Sequence, residues 1–124
     1  NMNNIEIRNL NVQSLAFIGD AVYSLIVRQK VLLENKNLKT NEINKLCNKV
    51  VNANAQSDLI LKIINNLTEE EKGIFLRARN YKTKNSAKNA SIINYHNATG
   101  FEAVLGYLYL TKNYERIFEI LNLT

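Results

Sequence analysis

"LAFIGDAVYSLIV" (15–27) is an apolar run with a single carboxylate, Asp20, set directly after a glycine. Leu15, Phe17, Ile18, Ala21, Val22, Leu25, Ile26 and Val27 cover most of the circumference of a helix rather than one stripe. A helix that is apolar nearly all round is expected to be buried. An ionised Asp in such a place is costly unless something positive meets it. The stretch therefore predicts a core helix and also poses a question of charge. Asn11 is a suitable N-cap for it, and the pattern continues to about Glu34.

The rest of the chain reads outward from this helix. In "TNEINKLCNKVVNANAQSDLILKIINNL" (40–67), Ile43, Leu46, Cys47, Val50 and Val51 share one face. Leu59, Ile60, Ile63, Ile64 and Leu67 repeat the pattern, which predicts two helices with a break near Asn52 to Asn54. "TEEEKGIFLRARN" (68–80) opens on a capping box, Thr68 with Glu71, and carries three acids in its first turn. From Tyr81 to Asn97 the periodicity weakens and Lys, Asn, Ser and Thr dominate, so a loop with at most one short turn is expected. "TGFEAVLGYLYLTK" (99–112) is a second almost wholly apolar helix, and "YERIFEILNL" (114–123) closes as an amphipathic one. No strand pattern competes, so the fold class is all-α.

Composition agrees. The 124 residues are 46% hydrophobic and 22% charged, with no proline and four glycines. This predicts one globular domain over 1–124, built from long helices. The one cysteine, Cys47, excludes an internal disulfide framework, fits a reducing compartment and lies at a core spacing. Neither a membrane span nor a secretory leader is visible, so a cytoplasmic protein is expected.

Glu102 repeats the oddity of Asp20. It stands among Phe101, Ala103, Val104 and Leu105, with Gly106 one helical turn later, while Asp20 has Ala16 and Ser24 a turn away on either side. Small residues let another helix or a ligand approach closely. Two readings follow from spacing alone. Each acid could pair with a base such as Arg28, Arg77 or Arg79, or the two could converge on a hard divalent ion such as Mg²⁺.

Lys72, Arg77, Arg79, Lys82, Lys84 and Lys88 fall within 17 residues that contain no acid. That local charge of +6 exceeds the +5 of the whole chain, so the remainder is close to neutral. Such a segment suits an anionic partner. From Arg77 to Lys88 Tyr81 is the only aromatic, whereas single-strand binding uses several stacking rings, so contacts to the phosphates and sugars of an RNA duplex fit better. The alternative is a solvated surface loop. His96, the single histidine, is expected at the surface or at a helix entry.

Together these features resemble the ribonuclease III family. "LAFIGDAVYSLIVRQKVL" is similar to its signature helix and "TGFEAVLGYLYL" to its second catalytic helix. "RARNYKTKNSAKN" is similar to the basic insertion of the short Mini form, which lacks a separate double-stranded-RNA-binding domain. The resemblance implies an endonuclease-domain helical bundle that works as a homodimer and cuts double-stranded RNA with Mg²⁺, leaving 5′-phosphate ends. It implies maturation of large-subunit (23S) ribosomal RNA precursor, with a ribosomal protein as a possible auxiliary partner. Asp20 and Glu102 match the catalytic, metal-holding acids, while Ala16 and Thr99 stand where other members carry two more. RNA contacts are expected from Arg77, Arg79, Lys82, Lys84 and Lys88, in a loop of about 77–97. The alternative within the same fold is a catalytically inactive RNA-binding module of ribosome assembly, which would lack the acids.

Overall fold

A computed structural model describes residues 2–81 and 91–123. Helix α1 (Asn4–Arg8) is followed by α2 (Val12–Glu34), α3 (Thr40–Val51) and α4 (Ala53–Ile63). A 3₁₀ turn (Ile64–Asn66) leads to α5 (Glu69–Arg79), then α6 (Ile92–Leu110) and α7 (Tyr114–Asn122). No strand occurs among the described residues, in agreement with the all-α expectation. None of their helices is long and apolar enough to cross a membrane.

The helix starts are set locally. Asn11 Oδ1 accepts from Gln13 N at 2.8 Å to start α2. Asn52 Oδ1 accepts from Ala55 N at 2.8 Å, and this cap makes the break between α3 and α4. Thr68 and Glu71 form the full capping box of α5. Each supplies a partner for N–H groups that the first turn leaves unpaired. Helix α1 is an unanticipated element, only five residues long and capped by Asn3. Arg77 steadies its end by donating to the Arg8 and Leu10 carbonyls at 2.9 and 3.3 Å.

Helix α6 is the hub. It shares the largest interface of the molecule with α2 and packs also on α4, α5 and α7. Its buried Phe101, Val104 and Leu105 meet Leu15, Ile60, Phe75 and Ile117 in the core. Tyr23 of α2 stands edge-on to Phe101, with centroids 5.2 Å apart, a favoured aromatic geometry. Cys47 is buried, as its spacing predicts.

Two expectations are corrected. Helix α6 begins at Ile92, with Ser91 Oγ accepting from Asn94 N at 3.1 Å, so residues 92–97 are helix rather than loop. Their pattern is inverted: Asn97 is buried while Ile92 and Ile93 are 62% and 72% exposed. Periodicity reads polar residues as outward and therefore misses a turn whose inner face is polar. Helix α2, for its part, is not covered all round. Phe17 and Leu25 are 78% and 65% exposed, and Asp20 lies on that open side.

Candidate active site

The glycine before Asp20 has a structural reason. Gly19 lies against the Glu102 carbonyl and Gly106 against the Leu15 carbonyl, so closely that a Cβ at either would collide with backbone. Two helices can approach this tightly only where both lack side chains. The contact fixes where α2 crosses α6, and the residue next to Gly19 is carried to the one facing it. Asp20 and Glu102 thereby come into hydrogen-bonding contact.

Their environments differ. Asp20 is exposed, whereas Glu102 is half-buried. Burial pushes the Glu102 carboxyl up to about 9, helped by the hydrogen bond and charge of Asp20 and opposed by a hydrogen bond from Gln56. Gln56 Nε2 donates to Glu102 Oε2 at 3.3 Å. A carboxyl that resists ionisation beside a second acid is a mark of a functional site.

Among the described residues no base pairs with either acid. The ion pairs among the described residues are Arg8–Glu70, Arg116–Glu71 and Arg116–Glu119. Arg28 is exposed on α2 and takes part in none of these. Arg77 serves backbone carbonyls, and Arg79 lies 5.6 Å over the Phe75 ring and donates to Asn80. The salt-bridge reading of the two acids is therefore corrected: each acid meets the other.

The donors suit a hard cation. Both are carboxylates, one open to solvent, and no third His, Cys, Asp or Glu joins them among the described residues. Mg²⁺ takes one or two carboxylates and keeps several waters, whereas Zn²⁺ favours more protein ligands and N or S donors. Ala16 is buried, and Thr99 uses its hydroxyl on the Tyr95 carbonyl at 3.0 Å, so neither position adds a carboxylate.

Of the basic residues, Arg77 and Arg79 end α5, while Lys82, Lys84 and Lys88 lie outside the described residues. His96 is half-buried in the opening turns of α6, edge-on to Tyr95 at 5.6 Å. Gln56 carried no signal in the sequence beyond a polar residue on the inner face of a helix.

The chain is similar to known proteins over most of its length. The Ribonuclease III domain family matches residues 13–113. The chain is 46% identical over 118 residues to a Mini-ribonuclease 3 of Clostridium tetani, covering 95% of this chain and 78% of that protein. It is 42% identical over 115 residues to a Mini-ribonuclease 3 of Streptococcus pneumoniae, covering 91% and 89%. A crystal structure of a Fusobacterium nucleatum protein superposes with a TM-score of 0.87 at 36% identity, covering 98% of this chain and 96% of that one. The two acid-bearing helices, their crossing and these likenesses lead to one conclusion: the chain belongs to the ribonuclease III family, on its Mini-ribonuclease 3 branch, and is an endoribonuclease.

Proposed function

We propose that the protein cleaves double-stranded RNA with Mg²⁺ held by Asp20 and Glu102, leaving 5′-phosphate ends, and that its substrate is the large-subunit (23S) ribosomal RNA precursor. The observation that carries this reading is the meeting of two carboxyl groups at a glycine–glycine helix crossing, with no ion pair to either among the described residues. Bound there, Mg²⁺ would lower the pKa of a coordinated water and offset charge on the transferring phosphate. Asp20, exposed, presents its carboxylate to the substrate side, and Glu102 is held from behind by α4. Arg77, Arg79, Lys82, Lys84 and Lys88 supply phosphate contacts, which position a duplex without reading its sequence. The exposed Phe17 and Leu25 support a homodimer, since an apolar face of this kind calls for cover. The reducing compartment indicated by Cys47 supports a cytoplasmic setting.

Asp20→Asn and Glu102→Gln keep shape while removing the charge. Both variants should fold and bind duplex RNA, and cleavage should fall by orders of magnitude, because metal activation is worth several kcal/mol. Without metal their melting points should hold or rise, as Glu102→Gln replaces a carboxyl that burial and Asp20 already keep uncharged, and Asp20→Asn removes the charge set beside it. Cleavage that survives both substitutions would overturn the assignment.

A further inference from the structure

Gln56 is 2% exposed, on the face of α4 that also buries Ile60 and Ile63. A buried amide on an otherwise apolar face calls for a reason. Its Nε2 donates twice, to the Val51 carbonyl at 2.8 Å and to Glu102 Oε2 at 3.3 Å. Both N–H groups face acceptors, so the reversed amide would set an oxygen against a carbonyl and a carboxylate. The orientation is thus determined by its partners. Its Oε1 is buried with no hydrogen-bond partner among the described residues. The amide leaves one acceptor unsatisfied in the core while meeting the acid.

The anchor is also firm. Val51 is the last residue of α3, and the carbonyls of a last turn lack partners within their own helix. Next to Gln56, Ser57 Oγ accepts from Asn97 Nδ2 at 3.0 Å and donates to Asn94 Oδ1 at 3.1 Å. Asn94 Nδ2 in turn donates to Asn54 Oδ1 at 2.9 Å. This side-chain ladder locks α4 to the opening turns of α6, ahead of Glu102 on the same helix.

We propose that Gln56 is a positioning residue for the acid pair, its amide braced on the Val51 carbonyl and holding the Glu102 carboxylate against Asp20 in readiness for the cation. The inference rests on Asp20 and Glu102 being the cation's ligands. Groups that orient a metal ligand contribute roughly 10–100-fold to affinity or activity. They do so without touching the metal or the substrate.

Gln56→Met and Gln56→Leu keep the volume and remove the amide. Melting of the parent and both variants is followed across a titration with Mg²⁺ alone, and duplex cleavage is followed against Mg²⁺ concentration. Without metal, each variant should fold and melt close to the parent, because the loss of the bonds to Val51 and Glu102 is offset in part by the removal of the unsatisfied acceptor. The Mg²⁺ concentration needed to raise the melting point, and that for half-maximal cleavage, should both increase roughly 10–100-fold. Most of the lost rate should return at saturating Mg²⁺, which a merely structural role would not produce. If the parent responds to Mg²⁺ and either folded variant responds at the same concentrations, the role of Gln56 is overturned and the acid site stands. If the parent responds no more than Asp20→Asn does, the acid site itself fails and the role of Gln56 with it. Should both replacements fail to fold without metal, the amide is a packing element and the proposal is likewise overturned.

Discussion

Glu71 is 3% exposed and accepts from Arg116 through both oxygens, Nε at 2.8 Å and the second guanidinium nitrogen Nη2 at 2.9 Å. It also closes the capping box on the Thr68 N–H at 2.9 Å. Burial alone would raise its pKa, but hydrogen bonds from Arg116 and Thr68, with the charge of Arg116, hold it below its ordinary 4.5. A carboxyl depressed in the folded state stabilises fully above the unfolded pKa, and the contribution is lost as pH falls through the folded value. Glu71→Gln should therefore cost about 1.5–3 kcal/mol at pH 7, the range for hydrogen bonds to charged groups. The difference should shrink below about pH 4.5. Urea melts of both proteins at pH 7 and at pH 3.5 check it, and an equal gap at both would remove the charge from the explanation. The capping role of Glu71 is legible from its spacing after Thr68. Its burial is not, because Arg116 lies 45 residues away.

Among the elements, the α2–α6 crossing sets the site, and its glycines differ sharply from the one in α5. A Cβ at Gly106 would run into the Leu15 carbonyl, whereas one at Gly73 meets nothing within 4 Å. Gly106→Ala should destabilise by about 3 kcal/mol or more, at or beyond the upper end of overpacking costs. Gly73→Ala should stabilise by roughly 0.5–1 kcal/mol through the helix preference of alanine. Denaturant midpoints of the two variants should thus move in opposite directions. A neutral Gly106→Ala would show that the helices can part without cost and that the crossing does not hold the acids.

At the scale of the molecule, the exposed apolar face of α2 bears on self-association. Phe17 and Leu25 stand on one exposed face of α2, so sedimentation at micromolar concentration should give twice the chain mass. Phe17→Glu with Leu25→Glu should give a folded monomer. A parent that sediments as a monomer and still cleaves would remove the homodimer. Removing the charges of Arg79, Lys82, Lys84 and Lys88 should weaken RNA binding and flatten its salt dependence, by roughly 0.7–0.9 in slope for each phosphate no longer neutralised. Arg77 is best left intact, since it holds the α1–α2 junction through the Arg8 and Leu10 carbonyls. An unchanged slope would make the segment a solvated face.

The all-α class, the starts of α2 and α5, the break near Asn52 to Asn54 and the oddity of an acid in each of two apolar helices are legible along the chain. These rest on neighbours in the chain: a cap reaches two or three residues, and a helical face repeats every three or four. Tertiary structure alone decided which faces are covered. It left Phe17 and Asp20 open, turned Asn97 inward beneath Ser57, and gave Glu71 to Arg116. It also brought Gln56 to Glu102 across 46 residues of chain. Periodicity records what each residue is, whereas burial depends on which helix lies opposite, and that is set by the contact of Gly19 and Gly106 with each other's helix.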